Sequence, residues 1–213
     1  MTRLIYIADP MCSWCYGFGP ELTKLLAVLG DAELILVMGG LRAGNTKPMD
    51  EALKATLREH WQHVHEASGL PFSDAAMDHE GFVYDTEPAC RAVVAVRELA
   101  PARALDFFHA VQKAFYAEGR DVTQPDVLAD VAAELGLSRD DFLATWQSSP
   151  TQDMTRQDFA ATQRWGITGF PTLLVEHDGQ LHAITVGYQP VDGLMQRLRE
   201  IRVSTPAAAA ANN

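Results

Sequence analysis

The chain has 213 residues, of which 47% are apolar, and its 28 acidic and 17 basic side chains give a net charge of −11. This length and apolar content are enough for a sizeable core in one domain, or in one domain with a large insertion. A strong negative charge gives no attraction to phosphate backbones or anionic lipid, so we expect neither nucleic acid nor a membrane surface as a partner.

The N-terminal segment predicts a location. The apolar run between Arg3 and Asp9 is too short for the apolar region of a secretory signal. No stretch approaches the ~18 apolar residues of a membrane-spanning helix. We therefore expect a cytoplasmic protein, and a reducing compartment disfavours structural disulfides.

The first forty residues predict a strand, a helix and a second strand. The sequences RLIYIAD (3–9) and AELILVMGG (32–40) are typical of short buried strands. Between them, Cys12 and Cys15 open a helix that runs to about Leu29. Two strands joined through a helix form a parallel pair with a right-handed crossover, so these residues predict a β-α-β unit.

A helical block follows, from Pro48 to about Pro150. Its composition is that of several helices with apolar faces. Within it, Thr123 and Ser138 are each followed three residues later by an aspartate. That spacing predicts a capping box, so we expect both residues to be helix N-caps.

The C-terminal part predicts a hairpin and a last helix. Residues 173–176 and 181–186 are two strands separated by a turn that contains Asp-Gly, the strongest short signal for a β-hairpin. Residues 191–201 (VDGLMQRLREI) predict an amphipathic helix. The small residues of 204–213 have nothing to bury, so we expect a disordered tail there.

The close pair Cys12 and Cys15 allows three interpretations: a disulfide staple, half of a metal site or a redox centre. A structural zinc site needs four ligands, and the sequence offers one further cysteine, Cys90. A nearby histidine cluster falls on a predicted helix, where solvated side chains are more common than ligands: His60, His63 and His65. We therefore expect no metal, and we expect Cys90 to be a small core residue.

A redox centre has a physical basis at this place in the chain. The thiolate is the nucleophile, and the free N–H groups and positive dipole end of a helix favour that anion. Cys12 is predicted at such a helix start, and Cys15, one turn later, is predicted to be more buried. Cys-x-x-Cys near a β-α-β unit in a cytosolic chain is typical of thioredoxin-like proteins.

A second motif, GITGFPT (166–172), places Pro171 directly before a predicted strand. Thioredoxin-like proteins hold a cis proline in this setting, although only about one X-Pro bond in twenty is cis in folded proteins. A cis bond would place the Phe170 backbone opposite the cysteine pair, where it can pair with an extended substrate segment. A trans proline at the start of an edge strand is the alternative.

Together, CSWCYGFGP (12–20), GITGFPTL (166–173) and the helical block between them resemble the DsbA family of thioredoxin-fold oxidoreductases. Within that family the chain is most similar to the cytoplasmic, FrnE-like branch of predicted protein-disulfide isomerases. The resemblance covers residues 1 to about 203. It implies an α/β thioredoxin fold with a large all-helical insertion, which we divide into a thioredoxin-like domain of residues 1–47 and 151–203 and a helical domain of residues 48–150.

The resemblance implies thiol–disulfide exchange through a mixed disulfide. It makes Cys12 the attacking cysteine and Cys15 the resolving one. Ser13 and Trp14 become the dipeptide that tunes the reduction potential, and Pro171, after Phe170, becomes the cis proline. Protein or small disulfides and thiols are the expected substrates. No metal or organic cofactor is needed, and glutathione is a candidate redox partner.

The sequence departs from the family in three respects. The dipeptide Ser13-Trp14 is not Pro-His, so the strongly oxidising behaviour of periplasmic members does not carry over. From its N-terminal residues we expect the chain to lack the signal peptide of the periplasmic members. Thioredoxins carry an acid six residues before the first cysteine, which relays the proton of the resolving thiol; here that position is Tyr6. Asp9 is the nearest acid, and it either serves as the relay or caps the turn.

Two other functions fit the same architecture. Kappa-type glutathione transferases and hydroxychromene-carboxylate isomerases have a single serine near the position of Cys12, so the intact pair argues against them. A glutathione conjugation assay would discriminate. The other is an adaptor that presents a client to a protease, an activity that Cys12→Ser would leave intact while abolishing exchange. The direction of exchange, the oligomeric state and the role of Cys90 stay open at this point.

Overall fold

The computed structural model describes residues 2–204. Its strands are β1 (Arg3–Ala8), β2 (Glu33–Met38), β3 (Thr172–His177) and β4 (Gln180–Val186). Its α-helices are α1 (Ser13–Leu29), α2 (Glu51–Ser68), α3 (Glu87–Leu99), α4 (Ala104–Tyr116), α5 (Pro125–Glu134), α6 (Arg139–Gln147), α7 (Ser149–Arg164) and α8 (Val191–Ser204). Ser204 ends α8, and the rest of the tail predicted for 204–213 lies outside the described residues. None of the helices in this part of the chain combines the length and apolarity needed to cross a bilayer.

The strands form one mixed sheet in the order β2-β1-β3-β4. β1 and β2 pair in parallel across the α1 crossover, so the predicted β-α-β unit is confirmed. β3 runs antiparallel to both β1 and β4. At the β3–β4 turn, Asp178 and Gly179 have φ angles of 51° and 72°, as a tight hairpin turn with a right-handed twist requires.

β1 is one of the two inner strands of the sheet, and both of its faces are apolar. Tyr6 points into the main core and is 0% exposed, whereas Ile7 belongs to a smaller cluster on the other face of the sheet. A strand buried on both faces has no solvent side, which explains why it reads as a continuous apolar run. The C-terminal end of β1 leads directly into the cysteine motif.

The helical block shares the main core with the sheet. The Tyr6 ring of β1 meets the Phe108 ring of α4 edge-on, with centroids 5.8 Å apart. Phe115 and Tyr116 of α4 belong to the same cluster of buried residues. The division at residue 150 falls inside the first turn of α7, which packs against β2 and α3. The separate helical domain of residues 48–150 stays a prediction.

Of the two predicted N-caps, the one at Ser138 is confirmed. The Ser138 hydroxyl accepts a hydrogen bond from the Asp141 N–H at 3.3 Å and caps α6. The prediction for Thr123 is wrong, because α5 begins after Gln124. The Thr123 hydroxyl instead donates to Asp121 Oδ1 at 2.6 Å, so a nearer carboxylate has captured it.

Candidate active site

The sheet brings the two sequence motifs together. β1 and β3 are antiparallel neighbours, so the C-terminal end of β1 lies beside the N-terminal end of β3, with Ile7 opposite Thr172. Cys12, just after β1, therefore meets the loop that precedes β3. The Cys12 thiol lies 3.7 Å from the Phe170 carbonyl oxygen, to which it donates a long hydrogen bond.

The loop before β3 is held in place on both sides. The Phe170–Pro171 peptide bond is cis, and the Pro171 carbonyl accepts the Gly187 N–H at 2.7 Å. The Phe170 ring lies against Gly39, where an added Cβ would be 2.3 Å from ring atoms. The position of Phe170 thus depends on a glycine at the end of β2.

The cysteine pair is asymmetric. Cys12 and Cys15 lie 3.4 Å apart, and both are free thiols. Cys12 is the N-cap residue of α1 and is 6% exposed, whereas Cys15 is 0% exposed. Burial, and then the neighbouring Cys12 sulfur, raises the pKa of Cys15 well above its usual range. Only the outer cysteine therefore has exposed surface, and the raised pKa keeps the inner thiol protonated.

Asp9 has the contacts of a turn cap. Its Oδ1 accepts the Met11 N–H at 2.8 Å, and its Oδ2 accepts the Leu41 N–H at 2.7 Å. The carboxyl group is fully buried, and this burial raises its pKa despite the donors. Asp9 therefore ties the end of β1 to the loop after β2, while its second predicted role, as proton relay, stays a prediction.

Cys90 extends the Asp9 cluster. Its thiol donates to Asp9 Oδ2 at 3.4 Å, and burial raises its pKa well above its usual range. Cys90 is 0% exposed, as expected of a core cysteine. Its link to Asp9 crosses 81 positions of sequence, and no local signal could have indicated it.

Tyr6 lies against the inner cysteine. Its ring is packed near Phe18 and Phe108, and its hydroxyl is buried with no hydrogen-bond partner among the residues described. Burial raises the pKa of Tyr6 well above its usual range, and the sulfur of Cys15 adds to this effect. A phenol that stays protonated beside a thiol can donate to that sulfur when it becomes an anion.

A cavity of about 340 Å³ opens beside Cys12. Sequence reasoning identified one wall of it: Ser13, Trp14 and Phe170. It did not identify the residues of the opposite wall, which come from the loop after β2, the helix α2 and the segment before α3: Arg42, His60, Trp61 and Tyr84. These side chains come from three separate segments, so only the fold places them together.

Nearly all of the chain is similar to proteins of one family. Residues 4–199 match the family described as a DSBA-like thioredoxin domain. A candidate protein disulfide isomerase from Nitrosomonas europaea is 37% identical, with a TM-score of 0.86 over 96% of this chain and 99% of that one. The cytosolic disulfide reductase DsbM from Pseudomonas aeruginosa is 28% identical, with a TM-score of 0.78 over 95% of this chain and 100% of that one. DsbM has also been solved with GSH. That structure is 26% identical to this chain, with a TM-score of 0.76 over 94% of this chain and 99% of that one.

Among curated proteins, the chain is similar to an adapter of a protease. It is 24% identical over 175 residues to the ClpXP adapter protein SpxH of Halalkalibacterium halodurans, and 25% identical over 205 residues to that of Shouchella clausii. The matches cover 80% and 94% of this chain, but only 57% and 67% of those proteins.

Proposed function

The chain belongs to the family of DSBA-like thioredoxin domains, whose fold supports thiol–disulfide oxidoreduction, and we propose that Cys12 and Cys15 are its redox pair. The observation that carries the proposal is the geometry of the pair. The two cysteines lie 3.4 Å apart, with the outer one at a helix N-cap and beside the Phe170 carbonyl. Aligned backbone N–H groups at that helix end stabilise an attacking thiolate.

The proposed reaction moves two electrons and proceeds in two steps. The Cys12 thiolate attacks one sulfur of a substrate disulfide, the substrate S–S bond breaks, and its other sulfur leaves as a thiolate that takes up a proton. The Cys15 thiol then loses its proton and attacks Cys12, which releases the second substrate thiol. The substrate is reduced, and the protein is left with a Cys12–Cys15 disulfide.

The difference in burial supports this order of attack. Cys15 has no exposed surface, and its raised pKa keeps it protonated and unreactive toward disulfides in solution. Cys15 attacks only when the neighbouring Cys12 is held in a mixed disulfide. The Cys12 sulfur is then bonded to the substrate sulfur, which can leave as a thiolate when Cys15 attacks. Tyr6, or Asp9 as the relay acid, would assist the loss of its proton.

The substrate would bind along the loop before β3. We propose that an extended segment pairs with the backbone at Phe170, which brings its sulfur to Cys12. Ser13 and Trp14, which line the same cavity, would tune the reduction potential and contact the substrate. The chemistry needs no metal or organic cofactor.

Direction and reset are proposed from the relatives. The similarity to the cytosolic disulfide reductase DsbM and to a candidate protein disulfide isomerase supports reduction or isomerisation of protein or small disulfides in the cytoplasm. That DsbM was solved with GSH supports glutathione as the thiol that returns the pair to its reduced state.

Trapping of the intermediate tests the proposal. Cys15→Ala lacks the resolving thiol, so treatment with bis(2-hydroxyethyl) disulfide should leave one stable adduct on Cys12, measured by intact mass and peptide mapping. Cys12→Ser should form no adduct at Cys15, because that thiol is buried. An adduct on Cys90 or Cys15, or none in Cys15→Ala, would contradict the proposal.

The similarity to SpxH favours a second candidate function. The chain matches 57% to 67% of the length of those relatives. An adaptor would hold a client protein in the same cleft without redox cycling. Cys12→Ser would then keep client binding while losing exchange with small disulfides. If Cys12→Ser loses client binding together with exchange, the result supports the oxidoreductase.

A further inference from the structure

Arg42 brings an unpaired positive charge to the cavity beside Cys12. Its side chain is half-buried and forms no ion pair within the described part of the chain. Its guanidinium lies over the ring of Tyr84, with 5.3 Å between the guanidinium carbon and the ring centroid. Such a cation is held by an aromatic face and keeps its N–H donors for another partner.

The platform under Arg42 is rigid. Tyr84 is 2% exposed, and its hydroxyl donates a hydrogen bond to the Met11 carbonyl, next to Cys12 in the chain. The backbone N–H of Arg42 donates to Thr86 Oγ1 at 3.1 Å. The neighbouring residue Leu41 is fixed by Asp9 Oδ2. The loop that carries Arg42 is therefore fastened to the same residues that position the cysteine.

The rest of the cavity also favours an anion. No aspartate or glutamate is found among the residues that line it in the described structure. The imidazole of His60 lies on its wall, and Trp61, on the same wall, has an indole nitrogen that is buried without a hydrogen-bond partner. The α1 helix begins at this cavity with no acidic residue in its first turn, so its positive dipole end adds to the attraction for an anion there.

We propose that Arg42 forms an anion subsite next to Cys12, which selects small disulfides that carry a carboxylate close to the sulfur. The inference rests on the proposed exchange at Cys12 and adds the class of substrate. A cavity of about 340 Å³ is at the small end for ligand pockets, which suits one half of a small acidic disulfide. The step at sulfur is the exchange already described, and the carboxylate is bound but unchanged.

The local charge matters because the molecule as a whole is acidic. A net charge of −11 repels an anionic substrate at long range. A preference for acidic disulfides therefore has to come from short-range contacts in the cavity. One charge-assisted hydrogen bond of the kind that Arg42 can donate corresponds to about a tenfold preference or more.

The test compares disulfides of different charge on the reduced protein. Second-order rates of oxidation are measured with 3,3′-dithiodipropionate, which has two carboxylates, with neutral bis(2-hydroxyethyl) disulfide and with cationic cystamine. We expect the dicarboxylate to react fastest with the native protein. In Arg42→Gln the ratio of the dicarboxylate rate to the neutral rate should fall by about tenfold, and Arg42→Lys should retain part of it.

Arg58→Gln is the matched control. It removes the same charge from α2, but Arg58 pairs with Asp74 outside this cavity, so the ratio should equal that of the native protein. An equal loss of both rates in Arg42→Gln, or a native protein without preference for the dicarboxylate, would overturn the subsite while leaving exchange at Cys12 intact. A native protein that reacts with none of the three disulfides would overturn the proposed function itself.

Discussion

At the scale of single residues, the alignment of Phe170 with Cys12 depends on the missing side chain of Gly39. In Gly39→Ala the new Cβ would lie 2.3 Å from ring atoms of Phe170, so the ring and its backbone must move. We expect the rate of exchange to fall about ten- to a hundredfold, because the carbonyl that faces the Cys12 thiol is displaced. The cost in unfolding free energy should be about 1–3 kcal/mol, as for other overpacked sites.

The control for this prediction is Gly169→Ala, next to Phe170 in sequence. Its added Cβ would be 3.6 Å from Val186 Cγ1, an ordinary contact. Steady-state exchange with a small disulfide and urea denaturation are measured for both variants. If Gly39→Ala exchanges disulfides at the native rate, the packing of the Phe170 ring against Gly39 does not matter for exchange.

Asp9 offers a prediction of stability. Asp9→Ala leaves the buried N–H of Met11 and the half-buried N–H of Leu41 without their acceptors. We expect a loss of roughly 2–4 kcal/mol in unfolding free energy, measured by urea denaturation. If Asp9→Ala unfolds like the native protein, Asp9 does not hold the loop after β2, and its contacts are not those of a structural cap.

The same residue gives a pH dependence. Burial raises the pKa of Asp9 in the folded state, so folding favours its protonated form. Its contribution to stability is therefore fully present below the unfolded pKa of about 3.9 and is lost as the pH rises through the folded pKa. Compared with Asp9→Asn, the native protein should lose unfolding free energy as the pH rises from the unfolded pKa of Asp9 to its folded pKa. If the difference in unfolding free energy between the two proteins does not change with pH, the pKa of Asp9 is not raised in the folded state.

Local motifs predicted the site residues whose signals are contiguous in sequence. Cys12, Cys15 and Pro171 each lie in one short motif, and a turn or a helix start accompanies it. The ambiguity over Asp9 could not be resolved in the same way. Its contact with Leu41 crosses 32 positions, and such contacts depend on how the strands pair.

At the scale of elements, the edge strand β2 is held by a partly buried ion pair. Arg97 of α3 donates to the Leu36 carbonyl at 2.7 Å and to both carboxylate oxygens of Asp158 on α7. Asp158 also accepts the Met38 N–H at 2.9 Å. Two helices and the strand thus meet at one bidentate contact, which fixes the edge of the sheet next to the loop of Arg42.

Breaking this contact should destabilise the fold. The side chains of Arg97 and Asp158 are only 25% and 13% exposed, so Arg97→Met leaves a carboxylate with little solvent to replace its partner. We expect a loss of about 2–3 kcal/mol in thermal or urea unfolding. Arg156→Met on the same helix is the control, because its ion pair with Asp153 is 65% and 59% exposed and should contribute under about 1 kcal/mol. Equal effects of the two variants would contradict this role.

Element types were predictable where the local sequence signals are strong, whereas the start of one helix was not predicted correctly. The predicted strand at 32–40 is found at Glu33–Met38, and the Asp-Gly turn is in place. The start of α5 was placed wrongly, since Asp121 competes for the hydroxyl of Thr123. Side-chain competition of this kind is decided by geometry that a spacing rule does not contain.

At the scale of the whole molecule, one core joins the sheet to the helical block. Trp61 and Trp146 of that block are 3% and 7% exposed and belong to the same buried cluster as Tyr6 of β1. We therefore expect a single cooperative unfolding transition in urea, with coincident curves from tryptophan fluorescence and far-ultraviolet circular dichroism. Two separate transitions would instead show that residues 48–150 form a domain of independent stability.

The order of elements predicted the β-α-β unit and the C-terminal hairpin, and the resemblance carried by the two motifs implied the DSBA-like thioredoxin fold, which is confirmed. The residues that line the wall of the cavity opposite Trp14 were not predicted. Arg42, His60 and Tyr84 lie in three segments whose approach depends on the packing of α2 and the loop after β2. The proposed specificity of the site, unlike the cysteine motif, therefore depends on how the assembled molecule packs.

The redox pair can be tested by one equilibrium measurement. The protein is equilibrated in glutathione buffers of graded potential, free thiols are alkylated, and the oxidation of Cys12 and Cys15 is followed by mass, with Cys90 mapped separately. We predict a reversible two-electron transition, with a tenfold change in the ratio of oxidised to reduced pair per ~30 mV, while Cys90 stays reduced throughout. A pair that does not cycle, or one whose oxidation requires Cys90, would contradict the assignment of Cys12 and Cys15 as the redox centre.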